Sequence, residues 1–146
     1  MEKKGVASVY HPKETIEQQK LIMWVDTFHP EQSKFLFAVP NGGSRHPAEA
    51  ARLKLEGVRP GVPDLFFYRA RGGYHGLFIE MKRRKGSTGV VTGGQRGFIE
   101  RARQEGYKAV VCWGCEEAKK ALTEYWSNTA NAAPPEDPID LLLAIE

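Results

Sequence analysis

The chain has 146 residues, 41% of them apolar and 27% charged, with a formal net charge of +3. That length suits one ordinary domain with a real core, and that composition is the usual one for a soluble globular protein. No apolar run approaches the ~18 residues of a membrane span, which excludes an integral helical membrane protein.

In chain order, residues 1–12, MEKKGVASVYHP, lack the continuous apolar stretch of a signal peptide. They read as a loose arm, and the chain is expected to stay in the cytoplasm. A first helix is predicted from about Lys13 to Phe28, with Pro12 suited to its first turn. Leu21, Trp24, Val25 and Phe28 form its apolar stripe. One turn further back the stripe lands on Glu17. A carboxylate on an apolar face is costly unless partnered, so the plain reading puts Glu17 at a frayed edge with its head in water.

Phe35–Val39 reads as a first strand, closing on Pro40-Asn41-Gly42-Gly43. Arg45 and His46 follow in a loop, where Arg45 is a candidate phosphate contact. Pro47 then opens a helix that Gly57 stops. The histidines, His11, His29, His46 and His75, show no metal-ligand spacing, and His11, His29 and His46 precede proline. They mark chain turns and receive no catalytic role.

Two β-rich runs come next, Asp64–Tyr68 and His75–Lys82, separated by Arg-Ala-Arg-Gly-Gly-Tyr. They read as a hairpin. The period of two puts Glu80 and Lys82 on one face. Symmetric folding about Gly72 places Asp64 opposite Glu80, with Cβ atoms about 4.5–5.5 Å apart on that face. Two carboxylates so placed repel and call for a cation between them. A slip of one residue would send them to opposite faces, so everything depends on the turn.

Lys82-Arg83-Arg84-Lys85 leads directly out of this constellation into Gly86-Ser87-Thr88-Gly89, a loop. Thr92 and Gln95 then have capping-box spacing. Gln95 also shares a helix face with Phe98, Ile99 and Ala102, which points it toward the sheet. Gly106 ends that helix, and Tyr107–Cys112 is a buried strand. A last helix, Glu116 to about Trp126, packs through Ala118, Leu122 and Tyr125. From Ser127 the chain is small, polar and Pro-rich, a linker. It closes on an apolar segment, Ile139–Ile145, too short to fold alone. The organisation is therefore an arm over 1–12, a domain over 13–126 and a linker with tail over 127–146.

Charge is unevenly spread. From Arg45 to Arg103 there are 13 basic and 5 acidic residues, a balance of +8, while seven acids follow Cys115 against Lys119 and Lys120. A basic body around paired carboxylates suits a polyanion held at a metal. The rival signal is Cys112-Trp113-Gly114-Cys115, the spacing of a thiol redox pair. Against it, Cys112 sits at the end of a strand, where a buried thiol is inert. With one such pair, a four-cysteine zinc site is excluded.

Pro63-Asp64 followed by Glu80-Met81-Lys82 resembles the PD-(D/E)xK nuclease signature. GVRPGVPDL, FIEMK and GGQRGFIERARQEGYKAVV together resemble its VRR-NUC branch, which occurs in phage proteins and in the nuclease domain of a DNA-repair enzyme. The likeness runs from Glu17 to Tyr125. It implies a single α/β domain, a restriction-endonuclease-like mixed sheet flanked by helices. It implies Asp64, Glu80 and Lys82 as catalytic residues with Gln95 beside them, and it adds Glu17 and the Met81 carbonyl to the metal site. An all-oxygen site of this kind suits Mg²⁺ or Mn²⁺. Arg45, Arg83, Arg84, Lys85 and Arg96 are the candidates for contact with DNA. The implied activity is hydrolysis of DNA phosphodiester bonds, structure-specific on branched substrates such as four-way junctions or flaps, by a homodimer. Two other classes stand beside it. One is a DNA-binding module with a dead site, which would show a broken triad where this one is intact. The other is a redox protein using Cys112 and Cys115.

Overall fold

The computed structural model describes residues 14–40, 46–84 and 90–132. The arm, Arg45, Lys85, the loop over 86–89 and the tail beyond 132 lie outside the described residues. In chain order the elements are α1 (Glu14–Phe28), α2 (Pro30–Ser33), β1 (Leu36–Ala38), α3 (Pro47–Leu55), β2 (Leu65–Phe67), β3 (Leu77–Lys82), α4 (Gly93–Gln104), β4 (Lys108–Trp113) and α5 (Cys115–Trp126). This is the order read from the sequence plus the single turn α2, which His29-Pro30 starts.

The four strands form one sheet in the order β1-β2-β3-β4. The two pairings among β1, β2 and β3 are antiparallel, whereas β4 is parallel to β3. The parallel pair follows from the connection, since α4 crosses between those strands and returns the chain in the same direction. The result is a mixed sheet. Alternation along β2 and β3 divides it into two faces: Leu65, Phe67, Leu77, Ile79 and Met81 point to one and are fully buried. Leu21 and Val25 of α1 and Ala118, Leu122 and Tyr125 of α5 cover that face and are buried with them. On the other face Ile99 and Ala102 of α4 meet Ala109, with Phe78, Phe98, Tyr107 and Val111 packed around them.

One position departs from the α1 stripe. Phe28 is 69% exposed rather than buried, because His29 packs its ring at the end of α1 between Trp24 and Trp126, at 4.5 and 4.9 Å between centroids. Helix α3 has no buried residue at all, and its start is held by Pro47 and by His46 Nδ1, which accepts from the Ala48 amide at 3.2 Å.

The hairpin turn sets the register in an indirect way. Arg71 bridges Tyr74, with Gly72 and Gly73 between them at φ of 60° and 84°. Both central residues are left-handed, as a tight two-residue hairpin turn requires. Continued without interruption, that turn would set Asp64 opposite Met81. The ladder instead pairs Leu65 with Ile79 and Phe67 with Leu77. Between turn and ladder, Tyr68-Arg69-Ala70 on one side oppose only His75-Gly76 on the other. The extra residue acts as a bulge and shifts the register by one. Glycine is required at 76, since a Cβ there would lie 2.8 Å from the Phe66 ring. Continued one residue past the ladder's end at Leu65, that register brings Asp64 opposite Glu80, through a bulge rather than through symmetry about Gly72.

Candidate active site

Alternation from the β2–β3 ladder puts Asp64, Glu80 and Lys82 on the face that α4 partly covers. Beyond the last ladder pair the Asp64 side chain caps β3: Met81 N–H donates to Asp64 Oδ2 at 2.7 Å. The strand that carries Glu80 therefore also fixes Asp64. Glu80 and Lys82 are 3% and 5% exposed, a burial that charged groups tolerate only when partnered. Lys82 Nζ lies 3.4 Å from Glu80 Oε1, which supplies the cation that the carboxylate pair calls for.

Gln95 completes the arrangement. Thr92 Oγ1 accepts from Gln95 N–H, and Gln95 Oε1 accepts from Thr92 N–H at 2.9 Å, a full capping box at the start of α4. The amide nitrogen of the same side chain donates to Glu80 Oε1 at 2.7 Å. The start of α4 is in turn seated by a close backbone approach. Gly61, at φ +82°, lies so near Gly94 that a Cβ on Gly61 would come within 2.7 Å of the Gly94 carbonyl group. The loop leading to Asp64 and the helix carrying Gln95 thus share one contact. In the sequence Gly61 and Gly94 stand only within the motifs that carry the family resemblance, and nothing in their spacing gave the contact between them.

Glu17 is not at a frayed edge: it is 5% exposed, and its Oε2 accepts from the Cys115 amide at 2.8 Å. Its Oε1 faces Arg84 Nε at 3.6 Å. Of the basic candidates, Arg83 is half-buried and Arg84 and Arg96 are exposed, while Arg45 and Lys85 fall outside the described residues. Cys112 and Cys115 are free and buried. Burial, with Glu117 nearby, pushes the Cys112 thiol up to about 12, and burial also raises Cys115 although it opens a helix. An exchange-active thiol needs the opposite, an accessible site and a depressed pKa, so the redox reading fails.

The donor set at this site is all oxygen: two carboxylates and, on the same strand edge as Asp64, the Met81 carbonyl. Among the described residues no three His, Cys, Asp or Glu side chains form a ready-made cation cage. A hard cation that keeps several waters and takes one or two carboxylates fits such a set; a soft metal does not.

A mixed sheet with helices on both faces, bearing an opposed Asp and Glu with a lysine two residues on, defines a restriction-endonuclease-like nuclease domain. The VRR-NUC domain model matches residues 7–116, and the chain belongs to that nuclease family. It is similar to a solved structure described as a VRR_NUC domain protein, with a TM-score of 0.73 and 28% identity over 88% of this chain and 100% of that one. No curated protein matches the chain. Among the described residues no helix is long and apolar enough to cross a membrane.

Proposed function

We propose that the protein is a divalent-metal-dependent deoxyribonuclease that hydrolyses phosphodiester bonds in branched DNA as a homodimer. The observation that carries the reading is the register that sets Asp64 opposite Glu80, with Lys82 paired to Glu80 on the same buried face.

Asp64, Glu80 and the Met81 carbonyl are the groups that would hold Mg²⁺ or Mn²⁺. In a strand the N–H and C=O of one residue face the same neighbour, so the Met81 carbonyl shares an edge with Asp64, which receives the Met81 N–H. Glu17 offers a further oxygen, Oε1, on the side of Arg84. A divalent ion bound there supplies a Lewis acid for the scissile phosphate and a lowered pKa for a bound water. The protein's own part is orientation and charge. Gln95 and Lys82 fix Glu80, the Met81 amide fixes Asp64, and Lys82 offers N–H donors to the attacking water and to the charge that builds on phosphorus. Arg83, Arg84 and Arg96 give the surrounding phosphates positive partners, which places the duplex without reading its sequence.

Branched substrates and pairing rest on the family likeness and on geometry. One such site cuts one strand, so symmetric cutting of a four-way junction takes two copies, most simply an isologous pair. The motive for pairing within the sequence is the apolar composition of Ile139–Ile145, which lies outside the described residues. Incubation with end-labelled linear, flap and four-way DNA in Mg²⁺ or Mn²⁺ tests the activity. Selective, paired nicking of branched DNA is expected, and uniform cutting of all three would overturn the substrate. Light scattering with and without residues 134–146 tests the pair and the tail's part in it.

A further inference from the structure

The hydrogen bond between Glu17 and Cys115 joins residues 98 positions apart in the chain, and both are buried. Cys115 is the first residue of α5, and its amide has no partner within the helix. The cap residue before it is Gly114, which has no side chain to offer an acceptor. Glu17 supplies that acceptor from α1 as a charge-assisted bond at the positive end of the α5 dipole.

The next amide back leads to the active site. Gly114 N–H donates to the carbonyl of Lys82 at 2.9 Å. The Arg84 stem packs over Gly114, where a Cβ would come 2.9 Å from Arg84 Cγ, and its guanidinium faces the second oxygen of Glu17. The contacts close into a ring that runs from Lys82 along the chain to Arg84, across to Glu17, to Cys115 and Gly114, and back to Lys82.

We propose that Glu17 is a positioning residue for Lys82. Through the amides of Cys115 and Gly114 it fixes the main chain at the end of β3, from which the Lys82 side chain reaches Glu80. The meaning given to Lys82 rests on the nuclease reading; the tether itself, a side-chain-to-amide hydrogen bond, does not. The bond to the Cys115 amide uses only Oε2, while Oε1 faces Arg84. The sequence could not give this role, since the stripe on α1 reaches Glu17, where the plain reading is a frayed edge, and names no amide for it to meet.

Three substitutions separate the tether from a role of charge alone. Glu17→Gln keeps an oxygen that accepts from the Cys115 amide but loses the charge. Glu17→Asp keeps the charge but is one methylene too short. Glu17→Ala loses both. Amide hydrogen exchange on the metal-free full-length protein reads the tether, and single-turnover cleavage of labelled DNA in saturating Mn²⁺ reads its consequence. The Gly114 and Cys115 amides are expected to exchange about tenfold faster in Glu17→Ala and Glu17→Asp, and close to wild type in Glu17→Gln. The cleavage rate of Glu17→Ala should fall about tenfold or more below that of Glu17→Gln at unchanged KM for DNA. Exchange as slow in Glu17→Asp as in wild type, or as fast in Glu17→Gln as in Glu17→Ala, overturns the tether. Equal cleavage rates for Glu17→Gln and Glu17→Ala overturn its link to Lys82. If Glu17→Ala does not fold, the Gln and Asp variants decide both points. A wild-type protein that cuts no DNA removes the nuclease reading, and the exchange data still judge the tether.

Discussion

Gln95 Nε2 donates to Glu80 Oε1 at 2.7 Å while Gln95 Oε1 accepts from the Thr92 amide at 2.9 Å. One side chain both starts α4 and ties that start to a buried carboxylate. Gln95→Ala should therefore lose about 1 kcal/mol of stability with its half of the cap and also lower the cleavage rate. Gln95→Glu keeps an acceptor for Thr92 but sets a second carboxylate against Glu80. Its melting temperature should fall at least as far as that of Gln95→Ala, because repulsion from a buried carboxylate outweighs half a cap, and its activity should fall as far too. Thermal melts beside cleavage rates check this; a Gln95→Glu enzyme of normal activity would show that the contact with Glu80 is idle.

Asp64 and Lys82 should part company in stability while agreeing in activity. Asp64→Asn keeps an oxygen for the Met81 amide and removes one of two opposed charges, so metal-free stability should hold or rise. Lys82→Ala strips a buried carboxylate of its cation, and a loss of about 3 kcal/mol is the scale for breaking a buried pair. Neither variant should cleave DNA. Chemical denaturation of the metal-free proteins measures the difference, and a stabilised Lys82→Ala would contradict the pairing with Glu80.

Gly61→Ala tests the seat of α4. The added Cβ meets backbone at 2.7 Å, which cannot swing aside, and φ there is +82°. Gly57→Ala shares the positive φ but has nothing within 4 Å of its Cβ, so it isolates the backbone term. Backbone strain costs about 1–3 kcal/mol in either variant. Gly61→Ala should lose more stability than Gly57→Ala and, unlike it, should lose activity as Gln95 is displaced from Glu80.

Cys112 gives the pH dependence. Its thiol is raised by burial from an ordinary 9.0 to about 12. Below pH 9 it is protonated in both folded and unfolded chains, and its contribution to stability is fully present. Between about 9 and 12 the unfolded chain releases the proton while the folded one keeps it, so stability falls as pH rises. Cys112→Ala should flatten that part of the stability curve. In the folded wild type at pH 8 a thiol reagent should find neither Cys112 nor Cys115, and nuclease activity should not follow oxidation state.

How much of this was legible in the sequence differs from residue to residue, for physical reasons. Period-two alternation is a local property, so the shared face of Glu80 and Lys82 could be read directly. The capping box at Thr92 and Gln95 is likewise local. The partner of Asp64 depends on the turn, and symmetry about Gly72 gave the right pair by a route the chain does not take; the chain uses a two-residue turn and a bulge after β2. Phe28 fits the α1 stripe but lies exposed, because helical periodicity does not say where the covering layer stops. The contacts of Glu17 with Cys115 and of Gly61 with Gly94 are tertiary, and no local pattern encodes them.

The central claim is that Glu80, opposed by Asp64 and held by Lys82 and Gln95, is the carboxylate on which DNA hydrolysis depends. Glu80→Gln changes one oxygen to nitrogen at nearly constant volume, so the fold should survive. The decisive measurement is single-turnover cleavage of labelled branched DNA in Mg²⁺ by wild type and Glu80→Gln at equal folded concentration. The arrangement predicts cleavage by the wild type and none above background by Glu80→Gln. A Glu80→Gln protein that cuts at near the wild-type rate would contradict it.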